Sequence, residues 1–297
     1  MKKYVNQSVK YYGDSLKVLV LTGGECFLLK NDLAKIIEYG TSKGLITRVV
    51  TNGYWAKTYQ DAYDILFNLR DKGLCEINFS TGDEHLEWVS YENIVNGCRA
   101  SMDLGLTCLV NVEKHDNSVF QKKSLQKDVR LQTYFDETIY HKPLIVDSGI
   151  WIPFDKSSSF SYDDMRIQSN SNHKRCTSLF STLPINPFSE MTSCCGLTCE
   201  HILPFRLGNL HNHNIKELYE TQFSDLLKLW LFTEGPYTIL KHIYEQQNID
   251  EPITGHICYI CAKIFQDAKN IQWMKDNYQK IMPNIILKYL LLKKTLN

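Results

Sequence analysis

The sequence lacks an excess of charge of either sign and lacks a long apolar run. Lys and Arg total 33 and Asp and Glu total 33, so no global field favours nucleic acid or an anionic membrane as a partner. The apolar tail 285–292 is interrupted by Lys288 and falls short of the roughly 20 residues that cross a bilayer. No apolar run follows Lys2 and Lys3, which argues against a secretory signal. We therefore expect a cytoplasmic protein with no nucleic-acid or membrane partner.

Ten cysteines are present, but a reducing cytoplasm favours thiols or metal ligands over disulfides. Cys258 and Cys261 are separated by two residues, so both sulfurs can reach one metal centre, either zinc or an iron-sulfur cluster. One such pair supplies only half of a site. Cys75, Cys98 and Cys108 have apolar neighbours on predicted strands or helices, which is typical of small buried thiols.

Four apolar segments recur about every thirty residues and predict β-strands. They are 16–21, 47–51, 75–80 and 107–112. Between them, apolar residues spaced by three or four positions predict helices. These residues are Leu33, Ile36 and Ile37; Ala62, Ile65, Leu66 and Leu69; and Ile94, Val95, Cys98 and Met102. Repeated strand-helix units predict an α/β fold of parallel strands, either an open doubly wound sheet or part of a barrel.

Glycine and polar residues follow the predicted strands at their carboxyl ends, where ligands bind to parallel sheets. These residues are 23–25, 52–53, 80–83 and 111–113. The pattern changes after the apolar residues 143–146 and 151–154, and the polar segment 157–174 follows. We place the domain boundary there, which gives domains of 1–156 and 157–297. The second domain is predicted to contain scattered cysteines, short strands, a turn at 207–210 and helices from about Ile215.

Several motifs, taken in order, resemble the radical S-adenosylmethionine (radical SAM) superfamily, specifically members with a C-terminal SPASM or twitch-type domain. They are Leu-Thr-Gly-Gly-Glu-Cys-Phe-Leu at 21–28, Val-Thr-Asn-Gly-Tyr-Trp-Ala at 50–56, Phe-Ser-Thr-Gly-Asp-Glu-His at 79–85, Cys-Cys-Gly at 194–196 and Leu-Gly-Asn-Leu at 207–210. The likeness covers most of the chain. It implies a partial (β/α) radical SAM barrel of parallel strands followed by a small cysteine-rich domain that holds an auxiliary iron-sulfur cluster.

The resemblance implies that S-adenosyl-L-methionine (SAM) is bound after the first strand. Gly23 and Gly24 permit close approach of the backbone to a ligand, and the Glu25 carboxylate can accept hydrogen bonds from an ammonium group. In the family this motif holds the methionyl amino group, and Cys26 would only line the pocket. The alternative for the two glycines is a tight turn that ends the strand.

By the same resemblance, Ser80 would face the methionyl carboxylate, and Asn111 or Glu113 would address the ribose hydroxyls. Ser80 and Asn111 could instead be ordinary capping or loop residues. His85 is conspicuous in its loop, but a loop histidine is more often solvated or hydrogen-bonded than catalytic. We assign it no role from the sequence.

The resemblance also implies an auxiliary 4Fe-4S cluster with four thiolate ligands. The predicted ligands are Cys176, Cys194, Cys258 and Cys261. Cys195 could exchange roles with Cys194, and Cys199 and His256 are possible substitutes. The alternative is a zinc ion with four cysteine ligands that only stabilises the second domain.

Family members hold a second, radical-generating 4Fe-4S cluster on three closely spaced cysteines before the Gly-Gly-Glu motif. No cysteine precedes Gly23 in this sequence. Without those thiolates the cluster has no attachment, so we do not expect this chain alone to cleave SAM. Either the sequence begins at an internal methionine of a longer enzyme, which we favour, or the chain is a degenerate relative.

The resemblance implies that the complete form cleaves SAM reductively and abstracts hydrogen from a peptide or small-molecule substrate. Flavodoxin or ferredoxin would be the electron donor in such a family member. The rival hypothesis is a non-catalytic module that keeps a partial barrel and a metal-stabilised domain to bind a peptide or a partner enzyme. An unpaired strand edge would favour this rival.

Overall fold

The computed structural model describes residues 1–114, 117–150, 175–196, 199, 202–250, 253 and 256–296. The chain divides into two compact units, Met1–Trp151 and Ile152–Asn297. The apolar residues 151–154 and the polar segment 157–174, where the sequence predicts the domain boundary, lie outside the described residues. The boundary at residue 156 therefore stays a prediction.

One five-stranded parallel sheet forms the centre of the first unit. Its strands are β1 (Val18–Leu21), β2 (Ile46–Thr51), β3 (Leu74–Thr81), β4 (Thr107–Lys114) and β5 (Ile145–Ile150), and they neighbour one another in that order. The predicted α/β class is confirmed, and the four predicted strands are present within two residues of their predicted limits. β5 was not predicted.

The predicted helices of the first unit are present, and most of their apolar residues are buried. The helices described in this unit are α1 (Lys2–Tyr12), α2 (Asn31–Ser42), α3 (Tyr59–Asp71), α4 (Asp83–Leu86), α5 (Tyr91–Asp103) and α6 (Lys122–Gln126), of which α2, α3 and α5 contain the predicted apolar spacing. Side-chain caps fix two of the starts. Thr58 accepts a hydrogen bond from the backbone of Asp61 before α3, and Ser90 accepts one from Glu92 before α5.

In the described part of the first unit, the helices that connect consecutive strands lie on one face of this sheet. On the covered face Val49, Ile77 and Val110 are fully buried, whereas Val20 and Asn111 on the other face are exposed. The strand order runs without a reversal, and successive right-handed crossovers then place their helices on the same face. A doubly wound sheet requires a reversal of strand order. The doubly wound alternative is therefore not the architecture observed.

The second unit combines a small antiparallel sheet with long helices. Its elements are β6 (Glu190–Thr192), β7 (Arg206–Asn209), α7 (Ile215–Thr221), α8 (Leu226–Gln247), α9 (Ile257–Gln266) and α10 (Ala268–Leu296). The helices begin at Ile215, as predicted. The predicted turn at 207–210 is wrong for most of its length, because residues 207–209 belong to β7 and pair with β6. The turn was predicted because the segment contains Gly208, and glycine is a common turn residue.

The helices of the second unit pack around one apolar core. Buried members of this core are Trp230, Leu240, Ile243, Ile260, Ile264 and Ile285. Helix α8 is interrupted at Gly235, whose φ is +79°, directly before Pro236, which lacks the N–H that a continuous helix would use. In the part of the chain that the structure describes, no helix combines the length and the apolar character needed to cross a membrane.

A charged network joins α5 to the segment after α6. The Asp128 carboxylate accepts hydrogen bonds from Arg130 Nε (3.0 Å) and Nη2 (2.7 Å) and from the Tyr91 hydroxyl (2.8 Å). Arg130 Nη2 also donates to Glu92 Oε1 at 3.1 Å. The hydrogen bonds from Arg130 hold the pKa of Asp128 well below its usual range. Only 9% of the Asp128 side chain is exposed, so solvent screens these bonds weakly.

We predict that Asp128→Asn lowers the free energy of unfolding by roughly 1.5–3 kcal/mol near neutral pH, the range for hydrogen bonds to charged groups. Because the folded pKa of Asp128 lies below its unfolded value of about 3.9, its stabilisation is complete above that value and is lost as the pH falls towards the folded pKa. Urea unfolding of wild type and variant at several pH values measures the difference. Asp32→Asn, which removes an exposed pair with Lys35, is the control and should unfold as wild type.

Candidate functional site

The Gly-Gly-Glu segment forms the loop that follows β1. Gly23 has a φ of +98°, a conformation that favours glycine, and no atom lies within 4 Å of the place where a Cβ of Gly23 or Gly24 would stand. The backbone of this loop is therefore open to close approach by a ligand. The ligand-binding loop and the tight turn that ends the strand both stay predictions for these two glycines.

The Glu25 carboxylate ties this loop to the end of β2. It accepts hydrogen bonds from the Phe27 backbone (3.0 Å), the Thr51 hydroxyl (2.9 Å) and the Asn52 backbone (2.8 Å). One side chain thus joins the motifs at 21–28 and 50–56, which are separate in the sequence. An incoming ammonium group would share these oxygens with three protein donors.

Aromatic packing supports the same corner of the sheet. The rings of Phe27 and Trp55 stack with centroids 4.2 Å apart, and Trp55 Nε1 donates to the Thr51 hydroxyl at 3.0 Å. Sequence reasoning missed Phe27, Thr51 and Trp55 as supports, although all three lie in the quoted motifs. Cys26 is buried there, and burial followed by the charge of Glu25 raises the pKa of its thiol to about 12. Cys26 is therefore a neutral thiol at physiological pH.

Three polar side chains form a row on the open face of the sheet. Ser80 of β3 is the register partner of Asn111 of β4, and Asn111 is the partner of Asp147 of β5. Side chains at paired positions of neighbouring strands point to the same face, about 4.8 Å apart from strand to strand. The structure thus brings the predicted Ser80 and Asn111 together. Asp147 was missed because β5 itself was not predicted.

Glu113 is used differently from Asn111. Its Oε2 lies 2.7 Å from His85 Nδ1, and its Oε1 accepts a hydrogen bond from the His85 backbone at 3.2 Å. Only 7% of the Glu113 side chain is exposed. Both oxygens are therefore engaged within the protein. Of the two residues proposed for a ribose contact, Asn111 is the one that remains accessible.

Gly82 makes room for the pair formed by Glu113 and His85. Its φ is +145°, and a Cβ at this position would lie 2.1 Å from Glu113 Cγ. The Asp83 carboxylate fixes the same loop by accepting hydrogen bonds from the Val119 and Phe120 backbones at 2.7 and 2.8 Å. The loop after β3 therefore packs against the buried carboxylate of Glu113.

The second unit brings together the four predicted ligands and two further cysteines. The six are Cys176, Cys194, Cys195, Cys199, Cys258 and Cys261. Gly196 lies between two of these thiols, since its Cβ would stand 3.4 Å from Cys258 Sγ and 3.7 Å from Cys194 Sγ. The backbone N–H of Cys176 donates to the Leu231 carbonyl of α8 at 3.1 Å, which holds that cysteine against the helical core.

These thiols lie close enough to influence one another's ionisation. Burial, followed by the charges of Cys176, Cys195 and Cys199, raises the pKa of Cys258 to about 11. Burial, followed by Cys176 and Cys258, also raises the pKa of Cys261. Without a bound cation Cys258 and Cys261 are therefore protonated at physiological pH. A cation would relieve their mutual repulsion and release their protons.

The arrangement of these thiols bears on which metal centre they could hold. Among the described residues, no three His, Cys, Asp or Glu side chains are arranged to hold one ion. Zinc with four thiolates needs sulfurs roughly 3.8 Å apart, as Zn–S bonds of about 2.3 Å in a tetrahedron require. A 4Fe-4S cluster spreads its thiolates further, because each iron takes one. His256, a possible substitute ligand, caps α9 by accepting a hydrogen bond from the Cys258 backbone at 3.2 Å.

We predict that Gly82→Ala destabilises the first unit by about 1–3 kcal/mol or more, as overpacking beside Glu113 requires. Thermal unfolding monitored by circular dichroism measures this loss. Gly24→Ala is the matched control, because its added methyl group meets no atom within 4 Å and its φ is not in the left-handed region. Equal melting temperatures for the two variants would contradict the packing seen around Gly82.

Comparisons with known proteins do not assign this site to a family. No protein-family model matches the chain, and no curated protein matches its sequence. The likeness to radical SAM proteins therefore depends on the quoted motifs and on the places they occupy in the fold.

Proposed function

We propose that this chain is a radical SAM family protein whose parallel sheet binds SAM and whose cysteine-rich unit holds an auxiliary 4Fe-4S cluster. The observation that carries the proposal is the convergence of six thiols from distant parts of the sequence. Buried thiols that raise one another's pKa are costly to ionise unless a metal centre compensates. The order of the strands adds support, because it places the motif residues at one edge of one sheet.

The residues that would hold SAM lie along that edge. The open backbone at Gly23 and Gly24 would approach the methionyl group, and Glu25 would accept hydrogen bonds from its ammonium. Ser80 can donate a hydrogen bond to a carboxylate, and Asn111 can both donate to and accept from ribose hydroxyls. Asn111 is exposed and Ser80 is half-buried on this face of the sheet, so both side chains are accessible to a ligand.

The auxiliary cluster would draw its ligands from the six thiols. Cys258 and Cys261 lie one turn apart at the start of α9, so both can face the same centre. Cys176 is near both of them, and Cys194 is near Cys261. Cys195 and Cys199 are also close to these thiols and are alternative fourth ligands. When bound, such a cluster would supply electron transfer or a site for a substrate.

The radical-generating cluster does not fit the residues of this sequence. No cysteine lies before Cys26, and Cys26 itself is buried and hydrogen-bonded to the Val50 carbonyl at 3.3 Å. We therefore derive no cleavage step from these residues. Hydrogen abstraction from a peptide or small-molecule substrate, with flavodoxin or ferredoxin as donor, is proposed only for family members that hold the radical-generating cluster.

One observation favours the rival hypothesis of a non-catalytic binding module. The Glu25 carboxylate already accepts three hydrogen bonds, which is enough to explain the residue without a ligand. In that case the thiols would hold zinc and stabilise the second unit alone. The two hypotheses differ in the metal bound and in the affinity for SAM, and both can be measured.

Anaerobic reconstitution of the full chain with iron and sulfide should yield about four irons per chain and visible thiolate-to-iron absorbance. Cys258→Ala and Cys261→Ala should each lose most of this iron, because each removes a thiolate from the centre. Cys75→Ala is the control, since Cys75 is exposed on β3 in the other unit. A colourless protein that binds one zinc with the same cysteine dependence would support the rival instead.

Calorimetry should detect binding of SAM to the full chain, and Gly24→Ala should weaken it at least about tenfold, or about 1.4 kcal/mol. The added methyl group would occupy the space that the ligand needs, while the melting temperature stays unchanged. Ser15→Ala, in the turn between α1 and β1, is the control and should bind as wild type. Wild-type affinity in both Gly24→Ala and Asn111→Ala would contradict the proposed SAM site.

A further inference from the structure

Helix α10 has one face packed and one face exposed. Ile285 is 1% exposed, and Ile281 and Tyr289 pack against the core of the second unit. These three residues are four positions apart and therefore lie along one side of the helix. Their contacts fix which side of α10 faces away from its own unit.

Four large apolar side chains lie on the exposed side and form what we name the α10 patch: Ile286, Leu287, Leu290 and Leu291. Their exposed fractions are 38%, 57%, 51% and 56%. Ile286 and Leu290, and likewise Leu287 and Leu291, are four positions apart, and Leu287 and Leu290 are three apart, so these side chains are neighbours on the helix surface. Single exposed apolar residues are ordinary, but a contiguous group at helical spacing marks a surface that binds something.

The charged side chains of α10 itself around the α10 patch are all lysines. The segment 277–297 contains no Asp or Glu, and its charged residues are Lys280, Lys288, Lys293 and Lys294. Lys288 reaches Glu234 of α8, whereas Lys293 and Lys294 form no ion pair with any residue that the structure describes. Two lysines in the last turns also complement the helix dipole. The dipole does not explain why leucines precede them on an exposed face.

We propose that the α10 patch binds an anionic lipid surface, with α10 lying in the plane of the membrane. The apolar side chains would enter the boundary between head groups and acyl chains, and the lysines would meet lipid phosphates, as in other interfacial helices. The expectation of no membrane partner came from the net charge of the whole chain and from the lack of a spanning segment. Neither the net charge of the chain nor the lack of a spanning segment excludes a basic helix face that lies flat on a membrane.

A second copy of this chain fits the α10 patch less well. Two such patches in contact would bring lysines towards lysines, and neither segment supplies a carboxylate to offset the repulsion. An acidic protein would match the charge, but it would also need a complementary apolar surface. Lipid offers both features at once, because anionic head groups and acyl chains are adjacent.

Cosedimentation of the full chain with vesicles tests this proposal. Vesicles of phosphatidylcholine alone should bind little, and vesicles with about one-third phosphatidylglycerol should bind the protein. Lys293→Gln combined with Lys294→Gln should weaken this binding about thirtyfold, since each lysine near an anionic surface contributes a factor of about five. Leu287→Gln combined with Leu291→Gln should abolish it.

Lys123→Gln combined with Lys127→Gln, at exposed positions of the first unit, is the matched control and should bind as wild type. All these variants change exposed side chains, so the melting temperature, iron content and SAM affinity should not change. Equal binding to both vesicles, or to neither, would overturn the proposal. So would a dimer that is lost in the leucine variant, which would assign the α10 patch to a second copy. Binding of poly-L-glutamate as tight as that of anionic vesicles would assign it to an acidic protein.

Discussion

The uninterrupted order of the five parallel strands is the constraint on which the first unit depends. Right-handed crossovers between consecutive neighbours place the connecting helices on one face, so these helices leave the other face uncovered. Parallel sheets are usually covered on both faces. Here the second face instead presents polar side chains at its carboxyl edge, including Ser80, Asn111 and Asp147. The topology that builds the core therefore also creates the accessible surface on which the proposed ligand would lie.

Much of this fold could be predicted because burial leaves a local pattern in the sequence. Apolar residues at spacings of three or four positions marked α2, α3 and α5, and short apolar runs marked β1 to β4. The carboxyl ends of those strands were then known to lie along one edge, so Ser80 and Asn111 could be expected close together. Such reasoning needs only the direction of each strand and the order of the units.

The remaining features depend on contacts between distant residues. β5 was missed because Ile145 and Val146 are followed by polar Asp147, which leaves too short an apolar run to recognise. The contact between Glu113 and His85 spans 28 positions and arises only when β3 and β4 are neighbours. Spacing likewise could not show that six thiols meet, since the packing of α8 and α9 brings them together.

The hydrogen bonds of the Glu25 carboxylate limit which substitutions are tolerated at this position during evolution. The same two oxygens hold the loop after β1 to the end of β2 and would face an incoming ammonium group. Aspartate is shorter by one methylene, and glutamine offers only one acceptor oxygen, so either replacement disturbs the scaffold as well as recognition. A related chain that had lost ligand binding would still retain this glutamate, because the loop after β1 needs its hydrogen bonds. The presence of this glutamate in a related chain is therefore weak evidence that the chain binds a ligand.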